Sequence, residues 1–244
     1  TLPRFRVEAT ADKPYYRDAL DSYTRLKGPD HSYTLTALNN VGCLLNSLGK
    51  LADAEPHHRK ALETRRRVLG NEHPETLSSL NNLGFLLKDQ GRLAEAEKLL
   101  REALSTRRRI FGGEHPDTIS SITNMGFLLY AQGRIDDAEP LLVEALETGR
   151  RVLGGEHPRT LNAINNVAAL YKARGKYDIA QRYVRESLEI GRRVQGEEHP
   201  DTLISLINMA WLLQAQQQPV AAEATYRDVL GRIRRARGDD HPIT

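Results

Sequence analysis

Apolar residues recur at helical spacing along this chain, and no stretch alternates as a strand would. Between Pro74 and Gln90, Leu80, Leu83 and Leu87 stand at i, i+3 and i+7 and mark one face of a helix. Pro74 suits the first helical position, where its missing N–H has no intrahelical partner, and Glu75 complements the positive end of the helix dipole. Gly91 is placed to close this helix in a left-handed conformation. A second helix is expected from about Leu93 to Phe111, with Ala96, Leu100, Ala103 and Leu104 inward and Gly112-Gly113 ending it.

This two-helix unit repeats. Histidine stands at 31, 73, 115, 157, 199 and 241, always 42 residues apart, and proline follows it in every case but the first, where Ser32 takes its place. Glycine keeps the same step at 28, 70, 112, 154, 196 and 238. Small residues form two further columns: Gly42, Gly84, Gly126, Ala168 and Ala210 in the first helices, and Ala54, Ala96, Ala138, Ala180 and Ala222 in the second. Helices pack closely only where side chains are small, so each hairpin is expected to nest against the next and to take its stability from that stacking. The fold class is therefore all-α.

Asn82-Leu83-Gly84, Leu87, Gly91, Ala96, Leu100 and Ala103 occupy the signature positions of the tetratricopeptide repeat. With its 42-residue period the sequence resembles the longer variety found in kinesin light chains, over roughly residues 12–244. It lacks the long heptad region with which a kinesin light chain pairs with its heavy chain. The resemblance implies a right-handed superhelical solenoid of antiparallel helix pairs that serves protein–protein interaction. Residues 1–30 read as an incomplete or atypical repeat with a second helix at about 12–27, residues 31–240 as five hairpins, and residues 241–244 as the start of a further, truncated repeat. The sequence thus reads as a segment of a longer protein.

Composition narrows the function. The chain is 39% hydrophobic and 27% charged, with one cysteine, Cys43, and 35 basic against 32 acidic residues, a formal charge of +3. A disulfide framework is excluded, no run reaches the roughly 18 apolar residues of a membrane span, and no stretch at the start reads as a signal peptide. A cytoplasmic location is expected, with no membrane partner. No cofactor is expected, and no enzymatic activity. The glycine-rich junctions lack the lysine and hydroxyl residue of a phosphate loop, and Cys43 falls mid-helix on the column of Phe85, Phe127, Ala169 and Trp211.

Three columns remain as candidates. The histidines, one per repeat and roughly 10 Å apart by helix-stacking distance, are too widely spaced to share a metal, and the expected role is to tie the preceding loop to the helix start. The arginine runs at 65–67, 107–109, 150–151, 192–193 and 234–235 either track an acidic tail or nucleic acid, or satisfy helix C-termini and pair with acids such as Glu72, Glu114, Glu156 and Glu198. The near-neutral balance favours the second reading and leaves nucleic acid as the alternative.

The asparagines are the leading candidates for recognition. Asn40, Asn82, Asn124, Asn166 and Asn208 form an unbroken column, and Asn39, Asn81 and Asn165 belong to the column before it, where Thr123 and Ile207 interrupt. Asparagine is poorly suited to mid-helix positions, so its retention points either to an inter-helix hydrogen bond or to capture of a peptide backbone, for which an amide has both donor and acceptor. The resemblance places Phe85, Lys88, Phe127, Tyr130, Lys172 and Trp211 beside these amides on the concave face. The expected partner is an extended peptide, or another domain of the same protein, with apolar anchors and some acidic residues. Ile204, Ile207 and Trp211 form an apolar stripe, either a pocket, a contact with a following segment, or a surface through which copies associate, in which case the array is a structural spacer or dimerisation module of a larger multidomain protein.

Overall fold

The computed structural model describes residues 15–237. Eleven α-helices and no strand are present among them. Two compact units divide the chain, Thr1–Gly112 and Gly113–Thr244. The first contains α1 (Tyr15–Lys27), α2 (Ser32–Ser47), α3 (Leu51–Leu69), α4 (Pro74–Asp89) and α5 (Leu93–Phe111). The second contains α6 (Pro116–Ala131), α7 (Ile135–Leu153), α8 (Pro158–Ala173), α9 (Tyr177–Val194), α10 (Pro200–Ala215) and α11 (Pro219–Arg237). Within each unit every helix packs on the next in sequence, and first helices also meet across one intervening helix, as α2 meets α4 and α6 meets α8.

The small columns produce this nesting. Ala54, Ala96, Ala138 and Ala180 are fully buried. A β-carbon added at Gly84 would stand 2.8 Å from Leu100, and one at Gly126 would stand 2.8 Å from Leu142. Leu77, Leu80, Leu83 and Leu87 fill the core between α4 and its neighbours, and Ile119, Ile122 and Leu128 do so in α6.

The turn inside each hairpin needs a left-handed residue, which Gly49, Gly91, Gly133 and Gly175 supply. In the last hairpin Gln217 adopts that conformation instead, at φ 61°. None of the described helices is long and apolar enough to cross a membrane. Residues 241–244, where a further repeat was expected to begin, lie outside the described residues, as do Gly238 and residues 12–14 of the helix expected at about 12–27.

Candidate functional site

The histidine column builds helix starts. Nδ1 of His31, His73, His115, His157 and His199 accepts the backbone N–H two residues on, at 3.1–3.2 Å, from Tyr33, Glu75, Asp117, Arg159 and Asp201. Each imidazole thus satisfies one of the N–H groups that a helix start leaves without an intrahelical partner. Burial and the neighbouring Arg159 lower the pKa of His157, which favours the neutral ring that such a cap requires. Among the described residues no three of His, Cys, Asp and Glu come together as metal ligands.

The arginine columns form a ladder of ion pairs. Arg67–Asp30, Arg109–Glu72, Arg151–Glu114 and Arg193–Glu156 each close at 2.5 Å, and Arg235–Glu198 at 3.5 Å. Each of these joins the end of a second helix to the loop before the first helix of the same hairpin. A second row reaches into the following repeat, through Arg66–Glu102 and Arg150–Glu186 at 2.7 Å. The acids beside the histidines are therefore the partners of the outermost arginines, and an arginine-rich edge offered to nucleic acid is countered by this neutralisation.

The predicted recognition residues all lie on first helices, at different depths. In the column of Asn40, Asn82, Asn124, Asn166 and Asn208, the first is exposed and the others half-buried. The preceding column lies deeper: Asn81 and Thr123 are each 7% exposed, and Asn39 and Asn165 are half-buried. In unit 1 these amides contact one another, with Asn82 Nδ2 donating to Asn39 Oδ1 at 3.0 Å. The Nδ1 of the buried His58 lies 3.2 Å from the same oxygen. In unit 2, Asn166 Nδ2 donates to Asn162 Oδ1 at 2.9 Å on the surface of α8.

The two lysines differ. Lys88 packs over the Phe85 ring at 4.1 Å and pairs with Asp89 at 2.7 Å. Lys172 lies 4.5 Å above the Trp211 ring, and burial lowers its pKa. Among the described residues no carboxylate pairs with it. Tyr177 meets Trp211 edge-on at 5.9 Å, and a shallow hollow of about 250 Å³ opens beside Trp211, Gln214 and Ala215. Ile204, Ile207 and Trp211 are 50%, 37% and 38% exposed. On α6, Phe127 and Tyr130 stack at 5.9 Å.

The structure thus brings Lys172 and Trp211 together and ties Asn39 to Asn82. Sequence reasoning reads the His57-His58 pair as half core and half surface, with His58 the buried one in the structure, and missed its contact with Asn39, Asp89 as the partner of Lys88, and Tyr177. The 42-residue register contained one usable signal, since His58 falls on the column of Leu100, Leu142 and Val184.

Comparison with known proteins agrees with this architecture. The chain is similar to the TPR-like repeats of a Podosopora anserina kinesin light chain-type protein, at 22% identity and a TM-score of 0.67 over 86% of this chain and 98% of that one. It is similar to BtubC (BKLC) from P. vanneervenii, at 23% identity and a TM-score of 0.72 over 93% of this chain and 91% of that one. A third likeness is to the Rap conjugation gene regulator of plasmid pLS20, solved in complex with a Phr peptide, at 15% identity and a TM-score of 0.70. There the match covers 98% of this chain and 60% of that one. No curated protein matches the chain. The tetratricopeptide repeat model matches it in five overlapping segments, 13–67, 44–106, 75–146, 118–190 and 161–235. With its helix pairs, small-residue columns and 42-residue period, the chain belongs to the tetratricopeptide repeat family.

Proposed function

We propose that this protein is a non-catalytic interaction scaffold that holds an extended segment of a partner protein, or of another domain of its own, against its first helices. The observation that carries the reading is the Lys172–Trp211 pair. A partly desolvated ammonium without a carboxylate partner among the described residues lies over an indole flanked by exposed Ile204 and Ile207. Desolvating a charge is costly unless a counter-charge arrives, so this spot favours an acidic residue beside a bulky apolar one. Asn124, Asn166 and Asn208 serve as backbone holders, with Phe127 and Tyr130 as further apolar contacts. In unit 1, Asn40, Asn82 and Phe85 present the same chemistry, whereas the charge of Lys88 is answered by Asp89. The peptide complex of the Rap regulator supports peptide capture as a use of this fold. A cytoplasmic site of action fits the single thiol, Cys43.

The test is a peptide-display selection on the wild-type chain beside the Lys172→Glu and Asn124→Ala/Asn166→Ala variants, each checked for unchanged helicity. Acidic-apolar peptides should be enriched by the wild type and lost at least tenfold from both variants. Enrichment that survives both variants would remove the first-helix face as the site.

A further inference from the structure

One repeat fills its core with an ionisable side chain. Where α5 and α7 seat Leu100 and Leu142 against Gly84 and Gly126, α3 seats the His58 imidazole against Gly42, and a β-carbon there would stand 2.8 Å from Cε1 and Nε2. The residue is 1% exposed. A carboxamide oxygen can only accept, so the 3.2 Å contact with Asn39 Oδ1 places the ring hydrogen on Nδ1. Asn39 Oδ1 also accepts from Asn82 Nδ2 at 3.0 Å, and Asn39 Nδ2 faces Cys43 Sγ at 3.8 Å. The Asn39 amide is thereby oriented by α2, α3 and α4 together.

The surroundings of His58 do not welcome a charge. On α3 its neighbour is His57, which repels a second cation. From α2 come Asn39, the Gly42 carbonyl and, through Asn39, the Cys43 thiol, which Arg65 of α3 influences. From α4 comes the neutral Asn82, and Arg17 of α1 acts on His57. Among the described residues the Gly42 carbonyl favours the charged ring. Burial and His57 push the His58 pKa down to about 4, against 6.5 for a free imidazole. The sign follows: the contribution of the neutral ring to stability is complete above pH 6.5 and is lost as pH falls toward 4.

We propose that His58 is a proton-controlled positioning residue, which holds the Asn39–Asn82 amide pair while neutral and releases it when Nε2 takes up a proton and the ring leaves its slot. Release disorganises the first-helix amides of unit 1, Asn39 and Asn82, and leaves those of unit 2 as they are. The consequence for ligand binding rests on the peptide-capture reading above; the switch itself does not.

The test therefore needs no ligand. Imidazole and side-chain amide resonances of the full chain are followed by NMR from pH 7.5 to 4.0, with thermal melts alongside, for the wild type and for His58→Leu, which copies Leu100 and Leu142. The His58 ring of the wild type should titrate at least one pH unit below a free imidazole, and the Asn39 and Asn82 amide signals should move with the same midpoint while those of Asn166 stay. In His58→Leu the Asn39 and Asn82 shifts should be pH-independent, and the acid fall in melting temperature should be several degrees smaller. Titration of the wild-type ring near 6.5, or equal movement of both amides in the two proteins, overturns the switch. Should the variant fold poorly, the wild-type ring titration still decides. A positive titration beside a negative peptide selection would sink the binding consequence and spare the switch.

Discussion

At one position of the repeat the two units part company. Unit 1 has Arg65 and Arg107 where the first two hairpins of unit 2 have Gly149 and Gly191 and its last has Ile233, and the arginines and glycines organise the surrounding helices differently. Arg65 is 4% exposed; it donates to Ser79 Oγ at 2.8 Å and to Thr36 Oγ1 at 3.3 Å, and Arg107 donates to Ser78 Oγ at 3.0 Å. In unit 2 the glycines allow a threonine of the next helix to move in, so that a β-carbon would stand 3.1 Å from Thr160 Oγ1 at Gly149 and 2.8 Å from Thr202 Oγ1 at Gly191. Thr34 and Thr76 donate to the carbonyls of Gly28 and Gly70 at 2.8 Å, whereas the hydroxyls of Thr118, Thr160 and Thr202 are buried without a hydrogen-bond partner among the described residues, so the glycines are not by themselves what leaves a threonine unpaired. One period thus supports two ways of joining hairpins, polar cross-links and close approach. The same division extends to the residues proposed for recognition: unit 1 ties Asn39, Asn82 and Lys88 into the scaffold, and unit 2 has Lys172 beside exposed apolar side chains.

The largest effect should come from removing a cross-link. Arg65→Ala strips Ser79, Thr36 and Glu75 of a buried guanidinium and should cost about 3 kcal/mol in urea unfolding. A loss below about 1 kcal/mol would show that unit 1 does not depend on its arginine, because removal of one partner from a buried network normally exceeds that. Gly149→Ala sharpens the contrast with the opposite sign. If Thr160 can turn toward Gly154 as Thr76 turns toward Gly70, helix propensity should raise stability by about 1 kcal/mol. A destabilised variant would mean that close approach in unit 2 is fixed. The smallest effect belongs to the surface ladder, which the two units share. Arg151→Ala removes a pair whose side chains are 59% and 66% exposed, and its melting midpoint should change little, equivalent to about 0.5 kcal/mol or less.

Most of the fold was legible because it is periodic. A residue type that returns every 42 positions reports a constraint acting in each hairpin, which is why the caps, the small columns and the turn glycines could be read from the chain. The arginine partners were half legible: the acid columns were visible, but only the bend of each hairpin shows that Arg109 meets Glu72 of its own hairpin. The exceptions were harder, since His58 in a leucine slot is a single event whose meaning depends on Gly42 opposite and Asn39 beside it. Lys172 and Lys88 look alike in the sequence; their difference lies in side-chain direction, one toward Trp211 and the other toward Asp89. Depth was equally hidden, because Asn81 and Asn82 are neighbours and only the helix rotation buries the first.

The ion pairs that clasp the hairpins also bear on how such a chain folds in time. They join residues 37 positions apart, and the Asn39–Asn82 bond joins residues 43 apart. Loop-closure cost grows with the length of chain enclosed, and folding rates fall as contacts become less local. Because no clasp reaches much beyond one period, lengthening the array adds steps without making any step slower. A hairpin can close as soon as its own second helix has left the ribosome, and each new one settles on a neighbour already in place.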